Sequence, residues 1–484
     1  MDRSGDGAVS GRRGISRRLL LGSGAAVMVT ATIGAAPAMA AGEAGATSET
    51  SDATTSGAAA PSHAPAQHPR RRAYAFLDGA TSGYPQSGPV TLAQSYTDQA
   101  GLFSTAFTYD NALAILAYLA DGRPEATKKA AALGDALLFA QAHDPQHSDG
   151  RLRQAYNVGP YTFYDGSPQP DGFVTAAGKA NVGSQFGFTG TAVGDMAWAG
   201  VGLVALARRT HGRRFRDGAV AIGEWIFTNA YSTQPLGGYR FGVDGANNPL
   251  PFSATEHNID LIGFFGQLAR LTGDRVWRRR AQHAEEFVAR MFNPKDKFFY
   301  TGTNDGTAIN TFPIPEDTQT WSFLALGAHR YASSVDWAAN NLKVTDDATK
   351  TNSTVPAGLS FVGVTFSSAS LVANEAAPIA PFQPNPDRSG VWFEGTAHLA
   401  AALRQRHWYG DERLAVGLID SIELAQDKLG TGQTIGGRAL PERAGVVSAS
   451  SPLDTGFGFG YYPYRHVGAT AWYLLAEAWA NPLD

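Results

Sequence analysis

Residues 195–229 read DMAWAGVGLVALARRTHGRRFRDGAVAIGEWIFTN, and this stretch decides the fold. Its first half, Asp195–Arg209, is apolar nearly all round, as expected of a helix buried on both sides. Its second half, Phe215–Asn229, carries charges on one face, as expected of a helix in an outer layer. The turn between them, His211-Gly212-Arg213, holds a glycine suited to the left-handed position that ends a helix. So short a turn makes the two helices antiparallel neighbours. The unit is a hairpin of one inner and one outer helix.

The same unit recurs along the chain. The first copy is Asp110–Leu119, the turn Asp121-Gly122-Arg123-Pro124, then Glu125–Ala142. The third is Glu256–Leu271, the turn Thr272-Gly273-Asp274, then Val276–Phe292. Thr318–Arg330 with Ser333–Leu342 is the fourth; Thr396–Trp408, the turn Tyr409-Gly410-Asp411 and Glu412–Lys428 are the fifth. Ala469–Trp479 is a sixth inner helix, and its outer partner is expected ahead of the first unit, in Thr91–Leu102. Six inner and six outer helices in alternation close into an all-α (α/α)6 toroid. An open solenoid repeats at a fixed short period. Here the inner helices start near 109, 195, 255, 318, 395 and 468, so long inserts with short strands precede each of them. A face built from such loops suits an enzyme. One domain is expected over 73–484, because no later stretch reads as a linker.

Since every long connection precedes an inner helix, the inner helices run parallel and their first turns meet at one mouth. The first brings Tyr109, Asp110 and Asn111; the second, Asp195 and Trp198; the third, Glu256, His257 and Asn258, with Asp260 beyond. The fourth brings Glu316, Asp317 and Trp321; the fifth, Trp392 and Glu394; the sixth, Arg465 and His466, with Trp472 beyond. An acid in the first turn of any helix complements the dipole, worth about 0.3–1 kcal/mol. Ser253-x-x-Glu256 also has the spacing of a capping box. Those preferences explain single acids, but not why each one is flanked by Trp, Tyr, His or Asn.

The set suits glycosidic cleavage, which needs two carboxyl groups across the bond. One protonates the leaving oxygen; the other activates water or attacks the sugar. Crowding raises the pKa of some carboxylates and keeps one protonated near neutrality. On this reading Glu256 is the general acid and Glu394 or Asp317 the base, with Asp110 a reserve carboxylate or sugar ligand. Tyr109, Trp198, Trp321 and Trp392 would stack on sugar rings. Asn111, Asn258, His257, His466 and Arg465 would bind hydroxyls, joined by Asp195 and Glu316.

With Tyr109-Asp110-Asn111, Thr255-Glu256-His257-Asn258, Glu316-Asp317-Thr318 and Trp392-x-Glu394-Gly395-Thr396 on this frame, the chain resembles the six-hairpin glycosidase superfamily. The likeness covers roughly residues 90–484 and implies an acid/base carboxylate pair, often in an inverting mechanism. It transfers no residue role, since no motif matches a single glycosidase family position by position.

The N-terminus points to export. Arg17-Arg18 precedes a weakly apolar run from Leu19 to about Ala36, and Ala38-Met39-Ala40 follows as a cleavage pattern. Residues 1–40 resemble a twin-arginine signal peptide, too short and Gly-diluted to anchor the chain. Residues 41–72, rich in Ala, Ser and Pro, read as a disordered linker ending in Arg70-Arg71-Arg72. The formal charge is −4; residues 1–40 carry five Arg and two Asp, so the remainder carries −7. That acidity argues against nucleic acid as a partner. With no Cys, disulfides, thiolate metal sites and Cys nucleophiles are excluded. His257, His398 and His466 form no metal-ligand motif. The Gly456–Tyr462 run has GxGxxG-like spacing without a surrounding strand–helix unit and reads as a cleft-edge loop. The expectation is therefore a secreted, monomeric glycosidase acting on carbohydrate, with no cofactor and no metal. A polysaccharide lyase using Tyr109, His257, His466 and Arg465 is the first alternative, disfavoured because the mouth acids repel an anionic polymer. A noncatalytic carbohydrate-binding protein is the second. A sugar epimerase on this fold is disfavoured by export.

Overall fold

In the computed structural model, residues 68–85, 88–160, 168–182, 188–380 and 383–484 are described. The expected signal peptide and the linker up to residue 67 lie outside them. The linker boundary at 72 needs correction, because a helix, α1, already begins at Pro69 and runs to Ser82. Proline at the first helical position has no N–H to lose. The three arginines read as solvated chain, yet Ala73, Tyr74, Phe76, Leu77 and Ala80 bury a stripe immediately behind them. α1 is the missing outer helix. Thr91–Leu102 is instead extended chain with one short turn at Asp98–Ala100.

The remaining helices are α2 (Thr108–Asp121), α3 (Pro124–Ala142), α4 (Val193–Thr210), α5 (Arg213–Ala230), α6 (Thr255–Thr272) and α7 (Arg275–Met291). They continue with α8 (Asp317–Leu326), α9 (Ala332–Asn341), α10 (Phe393–Arg406), α11 (Asp411–Lys428) and α12 (Val467–Glu477). The even-numbered helices form the inner ring: each packs on the next, and α12 closes on α2. Each odd-numbered helix lies outside its inner partner, with α1 against α12. The architecture is the (α/α)6 toroid read from the sequence. Short two- and three-stranded sheets decorate the face where the inner helices begin. Among the described residues no helix is long and apolar enough to cross a membrane.

Glycines 122, 273 and 327 end α2, α6 and α8 in the left-handed conformation. In the hairpin quoted first, however, His211 takes that position at φ 55°, and Gly212 does not. His407 does the same after α10.

Two repeated contacts tie the inserts to the ring. The backbone N–H at the start of each inner helix donates to a carbonyl of the next hairpin's insert. The pairs are Thr108 to Gln154, Val193 to Phe241, Thr255 to Thr301, Glu316 to Phe366, Phe393 to Ser448 and Val467 to Ser95. Side chains in the first turns clip the insert that precedes them. Asn111 bonds both backbone groups of Ala93, Asn258 those of Tyr239, and Gln319 those of Phe299. Thr396 accepts from Val364 N–H and Thr470 from Val446 N–H. These bonds satisfy backbone groups that burial would otherwise leave unpaired.

Inner helices approach closely where glycine allows it. A Cβ on Gly200 of α4 would lie 2.2 Å from the ring of Phe264 on α6, itself fully buried. Gly200→Ala would gain some helix propensity, but the ring has nowhere to move. We expect a net loss of about 1–3 kcal/mol in urea unfolding; an unchanged midpoint would show that this contact is slack.

Candidate active site

No mouth acid caps its helix through its side chain; Glu316 sits at the N-cap position of α8 but makes no side-chain capping bond. The N-cap residues of α2, α4, α6 and α10 are Phe107, Ala192, Ala254 and Trp392, none with a side-chain capping bond. The expected capping box at Ser253 and Glu256 does not form, because Ser253 sits in a short strand paired with Thr303. The neighbouring insert's carbonyl meets the first N–H instead, which leaves the carboxylates free to face the ring. They do so in a closed environment: Asp110, Asp317 and Glu394 are each 2% exposed and Glu256 5%.

Glu394 is the best-held of them. Tyr109 donates its hydroxyl to Glu394 Oε1 at 2.6 Å, and Trp472 Nε1 donates to that hydroxyl at 2.9 Å. His466 Nδ1 lies 3.4 Å from Glu394 Oε2, and its Nε2 lies 3.1 Å from Asp110 Oδ1. His398, one turn along α10, places Nε2 3.8 Å from Glu394 Oε1, ion-pair range rather than a hydrogen bond. Its Nδ1 is 3.2 Å from Glu316 Oε2. Burial alone would raise the pKa of Glu394. His398, His466 and Tyr109 outweigh it and hold the carboxylate below its ordinary range. Burial would likewise lower both histidines, yet their carboxylate neighbours push them above the usual imidazole value.

The other acids shift the opposite way. Asp317 is pushed up to about 7, by burial first and then by the charge of Glu316; its side chain also meets Glu256. Asp260, one turn below Glu256, is raised well above its ordinary value by burial and by Asp317. Burial also raises Glu316. Asp195 is pushed up to about 8 by burial and by Asp110. Hydrogen bonds from the Tyr109 backbone and the Gln154 side chain offset part of that rise. Glu394 is thus driven toward its ionised form while Asp317, Asp260, Glu316 and Asp195 are driven toward their protonated forms.

Beneath them Tyr109, Trp198, Trp321 and Trp472 form a buried aromatic floor, with ring centroids 5.1–5.6 Å apart along that sequence and Trp198 and Trp472 5.7 Å apart. Trp392 packs on Phe366, Tyr461 and His398. Among the described residues the indole N–H groups of Trp321 and Trp392 have no hydrogen-bond partner, whereas the Trp198 indole faces the Asp260 carboxyl and lowers its pKa against the effect of burial.

Several expected sugar ligands are placed elsewhere. Asn111 and Asn258 spend their amides on the insert clips described above. His257 is fully buried against Phe241 and Gly194, and burial lowers its pKa to about 3. Arg465 neighbours His466 on a short strand and so points to the opposite side, where it reaches the Pro441 carbonyl and packs on Gly430. The mouth also holds residues to which the sequence reading gave no role there, His398 and Tyr96, together with Tyr461 of the run read as a cleft-edge loop. Tyr96 stacks on His466 at 4.0 Å. His398 was legible as the i+4 neighbour of Glu394 on one helix face. Tyr96 lies in the segment misread as a helix. Among the described residues no group of three or more His, Asp or Glu is arranged to hold a metal.

These helices and this mouth define an (α/α)6 toroid with a buried, histidine-clamped carboxylate cluster. Among solved structures, a D-mannose isomerase shares the fold at TM-score 0.55 and 13% identity, over 86% of this chain and 95% of that one. A sugar epimerase from a ruminal bacterium follows at TM-score 0.52 and 9% identity, over 84% and 98%. An alpha-amylase from Clostridium perfringens matches at TM-score 0.50 and 10% identity, over 86% and 98%. No protein-family model matches the sequence, and no curated protein matches it.

Proposed function

We propose that the protein is a carbohydrate-active enzyme, and specifically a glycoside hydrolase. One observation carries this reading: Glu394 is buried between Tyr109, His398 and His466, which favour its ionised form, whereas Asp317 is buried beside Glu316 and Glu256, where its protonated form is favoured. Carboxyl pairs whose environments separate their pKa values mark an acid and a base. In this assignment the Asp317–Glu256 pair supplies the proton to the leaving oxygen, and Glu394 is the base or nucleophile. Asp110 acts through His466. The fold, shared with a mannose isomerase, a sugar epimerase and an amylase, supports a sugar substrate. The Arg17-Arg18 motif supports a reaction that takes place after export.

A second reading is sugar isomerisation or epimerisation, favoured by the two histidines that flank Glu394. A panel of neutral oligo- and polysaccharides separates the two. A hydrolase releases new reducing ends, with products resolved by chromatography. Conversion of a sugar without chain cleavage would sink the hydrolase reading, and an unsaturated, ultraviolet-absorbing product would indicate a lyase.

Tyr109→Phe tests the clamp. Losing a hydrogen bond to the ionised carboxylate raises the Glu394 pKa. The acid limb of the kcat/KM profile should therefore move to higher pH, while the alkaline limb stays. An unmoved acid limb would remove Glu394 from the base role.

A further inference from the structure

Outside the carboxylate layer lies a narrow, half-open pocket walled by Tyr96, Phe107, Phe188, Phe459, Tyr461 and Tyr462. No residue in its described lining carries a formal charge. It is contiguous with the candidate site: Tyr96 stacks flat on His466, at an interplanar angle of 9°, and His466 bridges Asp110 and Glu394. Tyr461 packs against Trp392 and feels the charges of Glu394, Asp110 and Glu256. We propose that this pocket is a subsite for one uncharged pyranose ring adjoining the bond that is cleaved, an inference that rests on the hydrolase reading.

The lining matches both sides of such a ring. Aromatic faces suit the apolar C–H face of a pyranose, and the rings are large and rigid, so little entropy is lost on stacking. The Gln383 amide and the hydroxyls of Tyr462 and Tyr464 supply hydrogen bonds for the ring's polar edge. A purely aliphatic ligand would leave those groups unpaired. A uronate would bring a carboxylate into an uncharged wall next to Glu394, with no cation in the described lining to receive it. The pocket therefore selects neutral hexoses and turns away uronic acids. Phe107 ties it to the ring mechanically, because it is also the N-cap residue of the helix that carries Tyr109 and Asp110.

The test is calorimetric binding of neutral gluco-, manno- and galacto-oligosaccharides and of oligogalacturonate to the full chain, made catalytically silent by Glu394→Gln. Tyr462→Ala and Phe107→Ala in that background should each weaken the tightest neutral ligand about tenfold. Tyr462→Phe, which keeps the stacking face, should bind within about twofold of its parent. Oligogalacturonate should bind at least about tenfold more weakly than the neutral ligand. Matching thermal melts exclude misfolding of the alanine variants. Unchanged binding in both alanine variants overturns the subsite, as does oligogalacturonate binding as tightly as neutral sugar, or no neutral ligand binding at all. If binding depends on the pocket but the wild type cleaves none of the ligands, the hydrolase reading fails and the pocket stands. If cleavage proceeds while binding ignores the pocket, the reverse holds.

Discussion

Glu394→Gln is expected to lower kcat/KM about 10²–10⁴-fold, the range typical of removing a positioned general acid or base. That is roughly 2.7–5.4 kcal/mol of transition-state stabilisation. The change keeps the side chain's shape, and Gln can still accept the Tyr109 hydroxyl through its carbonyl oxygen. What it removes is the negative charge that faces His398 and His466. Both imidazoles are raised partly by Glu394, so both should titrate lower in the variant. NMR titration of the two rings reads that shift directly. Activity lost together with lowered histidine pKa values is the expected pairing. Near-wild-type activity would end the assignment of Glu394 as base or nucleophile, whatever the histidines do.

Asp317→Asn should reduce kcat/KM by a similar about 10²–10⁴-fold and flatten the alkaline limb of the residual profile. The wild-type limb should fall near pH 7, where Asp317 gives up its proton. The stability prediction has the opposite sign. Folded Asp317 titrates at about 7 against an ordinary 3.8. Between those values the native state holds a proton that the unfolded chain has released. Its contribution is therefore full below the ordinary carboxylate pKa and is lost as pH rises through about 7. Asn cannot ionise, and its carbonyl can still accept from the Thr318 N–H, as Asp317 does. The variant should thus melt at least as high as the wild type at pH 8, and the gap should close at pH 4. A variant that is both inactive and unstable at pH 8 would make Asp317 a structural residue and void its role as proton donor.

Much of this site was legible before any fold was known. Asp110, Glu256, Asp317 and Glu394 stand in the first turns of helices whose pattern marks them as inner, and parallel inner helices bring first turns together. The floor tryptophans at 198, 321 and 472 follow from the same helices. The misreadings share one cause, which is that a side chain's partner lies far away in the chain. Asn111 looks like a sugar ligand until Ala93 is seen to occupy its amide. Arg465 looks like a mouth cation until its strand turns it toward Pro441. Tyr96 has no role in the sequence reading because Thr91–Leu102 reads as an outer helix, whereas it is extended chain with Gln94, Ser95 and Thr97 buried.

The sequence by itself determined eleven of the twelve described helices, the inner and outer layers and the shared end at which the acids gather. Those features rest on local periodicity, which a single hairpin such as residues 195–229 carries in full. Only the tertiary structure decided how the ring closes, with α1 rather than residues 91–102 behind α12. It also decided which acid is driven toward its ionised form and which toward its protonated form. Spacing does not encode a pKa, which depends on burial and on charges brought from other hairpins. His466 comes to Glu394 from the last hairpin and Tyr109 from the first, and their meeting is a property of the closed toroid.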